Sequence, residues 1–490
     1  MNSQRKCVVI KNGSHTTVAG FSNTELPQCI LPSSYIKRDD EYIFGKIDML
    51  EVASERDAAK KGEVYTIIDE NGVPYNWEAL ERQWKYIFEN ELKCKSDEFP
   101  LVITVPIMKD AVALRVMERY FDLAFNKFNV PVLQVIIEPL AIALSMGKSS
   151  ALVVDLGSSS CNVTPVIDGT VAKNSVLKSK YAGDFLDYQI YEKLKSKIET
   201  DEEGDIDTGM KTSTDVWLDS STWIQEFKST MLQVSDKDLL ELERYYKEQA
   251  ELYIKQQEEL QKYQNITSAN GNIMTTLNPA TIASINTNNP LTVKKHFLFK
   301  PKNRTVTMET RECFAMSEYL FNPQLANENF SSEDGLGEII GKSIKKAAAS
   351  ISSSGVNTLG SAGAAMTLQG LKRSQMNGSS TSNSSGNENS AATTASSTTP
   401  EQIYSTLLTN VIITGSTSLI SGMEQRIIKE LSIRFPQYKL TTFANQIMMD
   451  RRIEGWIAAT SMANLPSWEL GKWYSKEDYE LQKKNSLKQK

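Results

Sequence analysis

Three short segments of the chain end an apolar strand in a glycine–serine turn. They are Val8-Val9-Ile10-Lys11-Asn12-Gly13-Ser14, Leu152-Val153-Val154-Asp155-Leu156-Gly157-Ser158, and the one-residue-shorter Val411-Ile412-Ile413-Thr414-Gly415-Ser416-Thr417. A tight turn after a buried strand points successive backbone N–H groups outward, where they form a nest for phosphate oxygens. One such turn is an ordinary β-turn, but two hairpins, one in each half of a molecule, can clamp a nucleotide between them. The candidate contacts are Gly13, Ser14 and His15, then Asp155 and Gly157 through Ser158, Ser159 and Ser160, and finally Gly415 and Ser416.

Other chemistry is limited by composition. Only two histidines exist, His15 and His296, which excludes a zinc enzyme built on several histidines. A Ser-His-Asp hydrolase would have to use one of them, and His296 sits in a basic, exposed-looking Lys294-Lys295-His296 run. The five cysteines, at 7, 29, 94, 161 and 313, never approach a C-x-x-C spacing and read as core residues in a reducing compartment. No metal site is expected.

The elements that must position the turns read as α/β. Trp77, Leu80, Trp84 and Ile87 recur at helical spacing behind Asn76, a good N-cap. Val102-Ile103-Thr104-Val105 reads as a buried strand before Pro106, and Val112 to Phe125 as an amphipathic helix. At 490 residues the chain exceeds one core, so two lobes are expected. The charge, 54 − 60 = −6, argues against a generally basic nucleic-acid-binding surface. No run approaches the ~18 apolar residues of a bilayer span, and the polar start Met1 to Lys6 predicts no signal peptide, hence a soluble intracellular chain. Two segments break the apolar patterning. Leu239 to Tyr263 predicts an exposed polar helix, followed by an Asn/Thr-rich loop to about Asn289, and the Ser/Asn-rich stretch from about 350 to 400 predicts a disordered insertion.

The ordered series of motifs resembles the actin superfamily. The turns resemble its two phosphate hairpins and its adenosine-side glycine turn. Asn76-Trp77-Glu78 through Trp84, Asn90-Glu91-Leu92, Leu101-Val102-Ile103-Thr104, Trp456-Ile457-Ala458-Ala459 and Trp473-Tyr474-Ser475-Lys476-Glu477-Asp478-Tyr479 resemble further actin segments. The resemblance covers roughly residues 5–235, 290–330 and 403–480. More narrowly, Arg5-Lys6-Cys7-Val8-Val9-Ile10, Ser221-Thr222-Trp223-Ile224-Gln225 and Thr441-Thr442-Phe443-Ala444-Asn445-Gln446 resemble the actin-related subunits of the fungal SWI/SNF and RSC chromatin remodellers. The resemblance implies two lobes, each built on a ribonuclease-H-like βαβ core, with a nucleotide cleft between them. The boundaries expected are 1–175 for the first lobe (lid subdomain about 33–72), 176–455 for the second, with insertions at about 235–290 and 350–400, and 456–490 returning to the first. It further implies a nuclear protein that pairs with actin-related protein 9 on the helicase-SANT-associated helix of a motor subunit, among other remodeller subunits, with no membrane role.

Against that family the catalytic positions are altered. Actins use carboxylates to hold magnesium waters and polar side chains to orient the attacking water. Here Lys11, His15 and Val18 replace an acid, a glycine and a lysine of the first hairpin, and Ser158 and Ser159 replace an acid and a glycine of the second. Glu138 and Asn162 replace the water-orienting glutamine and histidine. Glu138 is open to two readings, a base or an ion-pair partner of Lys11, the second favoured. His15 is either a space-filling turn residue or a phosphate donor. Lys228 stands where actin has an adenosine-side lysine, Arg452 replaces another, and Ser229 and Ser416 replace a glutamate and a glycine. The expectation is ATP bound weakly, without turnover.

The surface also departs from a filament-forming actin. The lid carries Asp39-Asp40-Glu41 and Glu55-Arg56-Asp57 where actin has an apolar docking loop. In the cleft opposite the nucleotide, where actins take amphipathic partner helices, Leu144, Met146, Met462 and Leu465 are the candidate groove, rimmed by Trp468. The leading expectation is a non-catalytic scaffold. An actin-fold ATPase or sugar kinase, and a filament-forming actin, are the alternatives.

Overall fold

The computed structural model of the chain describes residues 6–198, 211–267, 289–353, 399–465 and 473–487. Its first half holds β1 (Val8–Asn12), β2 (Thr16–Phe21) and β3 (Cys29–Pro32), a lid of β4 (Ser34–Arg38), β5 (Glu41–Ile43) and β6 (Glu63–Thr66), then β7 (Leu101–Val105) and β8 (Leu133–Ile137). Next come β9 (Ala151–Leu156), β10 (Cys161–Ile167), β11 (Thr170–Val171), β12 (Leu177–Ser179), the hairpin β13 (Lys294–Phe299) and β14 (Arg304–Glu309), then β15 (Val411–Thr414), β16 (Thr442–Phe443) and β17 (Trp473–Tyr474).

Two sheets repeat one plan. The first runs β17-β8-β7-β1-β2-β3, the second β11-β10-β9-β15-β16 with β12 alongside β10. In each, a leading hairpin is antiparallel (β1 with β2, β9 with β10) while its first strand pairs in parallel with a later one (β1 with β7, β9 with β15). Central parallel strands are covered on both faces, which is why they are continuous apolar runs. Val8, Val9, Ile10, Leu101, Val102 and Ile103 are fully buried, and so are Val411, Ile412 and Ile413. This repeated α/β core is the actin-like architecture expected.

Between the sheets lie the helices Glu138–Ser145 and Glu454–Ala463. They share one core with both: Val9 and Val102 from the first sheet, Val153 and Ile412 from the second, and Ala141, Trp456 and Ala459 from the helices. The Trp456 indole donates to the Val9 carbonyl at 3.1 Å, which fixes the late helix on the first sheet. The helix Trp77–Tyr86 is capped as predicted, with Asn76 Oδ1 accepting from the Ala79 amide at 3.0 Å. The helix expected from Val112 to Phe125 runs as Asp110–Asp122 and continues as a wider π turn, Leu123–Lys127.

The lid reaches the second lobe. Ile36, Met49 and Ala53 pack with Trp217 and Leu218 of the helix Ser213–Ser221. Thr214 Oγ1 donates to the Gly62 carbonyl at 2.8 Å, Ser213 Oγ accepts from the Val64 amide at 3.1 Å, and Lys61 Nζ lies 2.7 Å from Asp215 Oδ1.

Two expectations need correction. The first lobe does not run to 175: β9 already hydrogen-bonds in the second sheet, so the chain changes lobes between Ser145 and Ala151. It also re-enters the interlobe layer with the helix that starts at Glu454, slightly before 456. The polar helix spans Leu239–Thr267, longer than its charge pattern indicated, with Leu242 buried at its root. The Ser/Asn-rich stretch at 354–398 and the loop at 268–288 lie outside the described residues. All five cysteines are free, four of them buried. Among the described residues no helix is long and apolar enough to cross a membrane.

Candidate functional site

The first two turns close alike. The Gly13 amide donates to the Thr16 carbonyl at 3.1 Å, and the Gly157 amide to the Ser160 carbonyl at 3.0 Å. A Cβ at either glycine would stand 2.8 or 2.9 Å from that same oxygen, so glycine is what lets each turn tighten. The following amides, of Ser14 and His15 and of Ser158 and Ser159, have no backbone acceptor among the described residues. The third turn abuts the second. Gly415 has φ +89°, and a Cβ there would meet the Leu156 carbonyl oxygen at 2.4 Å and Asp155 Oδ1 at 2.6 Å. Thr417 Oγ1 donates to the Gly157 carbonyl at 2.7 Å.

Charged groups meet beneath these turns. Lys11, on β1, points its ammonium to Glu138 Oε1 at 3.0 Å, so Glu138 is the ion-pair partner of Lys11. Glu138 opens the helix after β8 and packs on Gly455, where a Cβ would come within 2.2 Å of Oε1 and 3.0 Å of Lys11 Cε. Burial opposes the Lys11 charge, but Glu138 and Asp155 outweigh it and hold its pKa above the ordinary value. Asp155 is pushed up to about 6 by burial and by the Glu138 carboxylate, against the pull of Lys11 and a hydrogen bond with Asn162. The Asn162 amide also donates to Ser160 Oγ at 3.2 Å.

The serines of the second turn are engaged. Ser158 Oγ donates to Asp184, and Ser159 Oγ donates to the Glu70 carbonyl at 3.2 Å. Lys178 reaches the same carbonyl at 2.6 Å and Asn71 Oδ1 at 2.9 Å, joining the turn after the lid to the second lobe. His15 is exposed at the first turn. Desolvation by the surrounding groups lowers its pKa from the ordinary value, with Asp184 and Asp187 opposing and Lys228 and Lys46 assisting. Lys228 Nζ sits 2.5 Å from Asp187 Oδ1, and Ser220 donates to the other carboxylate oxygen at 2.8 Å. Ser416 and Arg452 are exposed on the side of the third turn.

Sequence reasoning missed Asp184, Asp187, Lys178, Glu70, Gly183 and Gly455. Gly183 begins the helix Gly183–Ile198 and is packed so closely that a Cβ would meet Thr417 Oγ1 at 2.9 Å. Only the Gly183-Asp184 start of a helix was a usable signal; the rest are partners that pairing reveals and spacing does not.

A divalent cation does not fit these residues. Among those described, no group of three or more His, Cys, Asp or Glu is placed to hold one. Three cleft carboxylates are engaged, Glu138 with Lys11, Asp184 with Ser158 and Asp187 with Lys228, and the fourth, Asp155, is hydrogen-bonded with Asn162 and faces the Lys11 charge. The outward amides of the turns do suit phosphate oxygens.

Of the candidate groove, Leu144 and Met146 are half-buried at the end of the helix after β8. Met462 is 4% exposed and belongs to the interlobe core, whereas Leu465 is 47% exposed. Trp468 lies outside the described residues.

The family model described as Actin matches residues 2–490. Actin-related protein 7 of Saccharomyces cerevisiae is 57% identical over 99% of this chain and 98% of its own length. Actin-related protein 4 of Candida albicans is 31% identical over 39% of this chain and 42% of its own. The "SWI/SNF and RSC complexes subunit arp42" of Schizosaccharomyces pombe is 30% identical over 37% of this chain and 42% of its own.

Proposed function

Because this chain belongs to the actin family, we propose that it is a non-catalytic structural subunit of an ATP-dependent chromatin-remodelling complex in the nucleus. It forms a heterodimer with another actin-related protein, actin-related protein 9, on the helicase-SANT-associated helix of the motor subunit, and so regulates transcription. Its cleft holds ATP weakly and does not turn it over.

The observation that carries the reading is the Lys11–Glu138 pair at 3.0 Å. It neutralises the position from which an actin would order its metal and attacking water, and Asn162 beside it cannot relay a proton at neutral pH. The assembly is supported by similarity along nearly the whole chain to actin-related protein 7, and over a shorter stretch to a relative named as a subunit of SWI/SNF and RSC complexes.

The test is to mix the full chain with actin-related protein 9 and a helicase-SANT-associated peptide, read the mass by light scattering, and assay ATP turnover in the same samples. A stoichiometric complex with turnover at background supports the proposal. No complex, together with turnover that Asp155→Asn abolishes, would establish an ATPase instead.

A further inference from the structure

The cleft floor is a three-group arrangement set directly under the turns. Lys11 Nζ is 3.7 Å from the point where a Gly13 Cβ would stand, which places the ammonium against the first turn. Asp155 Oδ1 is 2.6 Å from the equivalent point of Gly415, which places the carboxyl against the third turn and at the base of the second. Glu138, packed on Gly455, anchors the ammonium from below.

Two properties of the ammonium matter. It is held by Glu138 at 3.0 Å, in space that exists because residue 455 is a glycine, where a Cβ would come within 3.0 Å of Lys11 Cε and 2.2 Å of Glu138 Oε1. Its side chain is also not sealed off, since 19% of the Lys11 side-chain surface is exposed. An ammonium has three donors, and Glu138 takes one direction, leaving others for oxygens held by the outward amides of Ser14 and His15. Asp184 and Asp187 are engaged with Ser158 and Lys228. A divalent cation would find no group of three or more His, Cys, Asp or Glu placed to hold it among the described residues, only Asp155 as a carboxyl without an ion-pair partner, and would be repelled by Lys11.

Resting on the reading that the cleft admits a nucleotide, we infer that it takes the nucleoside polyphosphate as the free anion, with the Lys11 ammonium standing in for a divalent cation between the turns. Tethering the positive charge to the chain neutralises phosphate oxygens but leaves no metal-bound water to orient. The same substitution therefore permits binding and removes a requirement of hydrolysis.

Calorimetric titration of the full chain with ATP, once in EDTA and once in excess Mg²⁺, tests this. Affinity in EDTA is expected to equal or exceed that in Mg²⁺. Binding seen only with Mg²⁺ overturns the inference while leaving the nucleotide reading intact, whereas binding in neither buffer removes both. The double variant K11Q/E138Q, which removes both members of the ion pair, is expected to lose about ten-fold or more in EDTA, the worth of one charge-assisted contact. Lys11→Arg is expected to retain most of it. Undiminished binding by K11Q/E138Q, with thermal melting confirming its fold, sinks the role of the ammonium. Lys11→Asp puts a third carboxylate beside Glu138 and Asp155, and is expected to move binding to the Mg²⁺ buffer.

Discussion

Lys61 of the lid and Asp215 of the second lobe, 154 positions apart in sequence, meet at 2.7 Å beside a small apolar contact of Ile36, Met49 and Ala53 with Trp217 and Leu218. The two lobes are thus joined by the chain's own side chains as well as by anything the cleft holds. A second bridge, from Ser159 and Lys178 to the Glu70 carbonyl, lies just beyond the lid.

Removing the Lys61–Asp215 pair should loosen the lid without unfolding the protein. The side chains keep 19% and 30% of their surface exposed, so screening limits the contact to about 0.5–1 kcal/mol. Lys61→Ala is expected to speed amide exchange within residues 34–66 by about three- to five-fold, with little change in melting temperature. Burial works against the Asp215 charge, but hydrogen bonds from Lys61 and Thr212 hold its pKa below 3.8. The contact is therefore complete above pH 3.8 and lost as pH falls through the lower folded value. Unchanged exchange in the lid of the variant would show that the apolar contact alone holds it.

Asp155 should make stability depend on pH in the opposite sense. Its folded pKa of about 6 lies above the ordinary 3.8 because burial and the Glu138 carboxylate disfavour its charge. Between those values the unfolded chain has lost the proton and the folded chain still binds it, so stability falls as pH rises from about 4 to about 6 and then levels. Asp155→Asn lacks that loss. Its advantage over the parent in urea unfolding is expected to grow across this window and stay constant above it. An advantage that does not vary with pH would rule out the Asp155 carboxyl as its source.

Much of this architecture is legible in the residues. Apolar triplets at Val8–Ile10, Leu152–Val154 and Val411–Ile413 become the central strands, and Asn76 caps the helix it precedes, because strand burial and capping are local consequences of residue type. The Lys11–Glu138 pair was accessible too, as opposite charges placed at aligned positions of one family. Asp187 with Lys228, Lys178 with Glu70, and Lys61 with Asp215 were not, since each joins elements that only the folded topology brings together. Met462 shows the converse limit: its apolar character fits a groove or a core, and the packing of the helix Glu454–Ala463 between two sheets decides for the core.

Arg426 should be the costliest single polar residue to remove. It is buried, donates to both carboxylate oxygens of Glu318 at 2.8 and 2.6 Å and to Glu430 at 2.7 Å, and reaches the Ser235 and Lys237 carbonyls at the root of the long polar helix. Arg426→Ala leaves Glu318 buried without its partner and is expected to destabilise by about 3–5 kcal/mol. The double variant R426M/E318L should recover much of that in chemical denaturation. A loss near zero for the single variant would mean that water enters and solvates Glu318.

Two neighbours in the candidate groove should separate packing from partner binding. Met462 contributes to the interlobe core, so Met462→Ala is expected to lower stability by about 2–5 kcal/mol. Leu465 is 47% exposed, so Leu465→Asp should change stability by no more than about 0.5 kcal/mol. If the groove receives the apolar face of a partner helix, a charge at Leu465 meets that face directly. Affinity for the helicase-SANT-associated peptide, in the presence of actin-related protein 9, is then expected to fall by about thirty-fold, the cost of losing a contact of ~2 kcal/mol. Fluorescence anisotropy with a labelled peptide measures it. Parental affinity in Leu465→Asp would place the partner helix on another face.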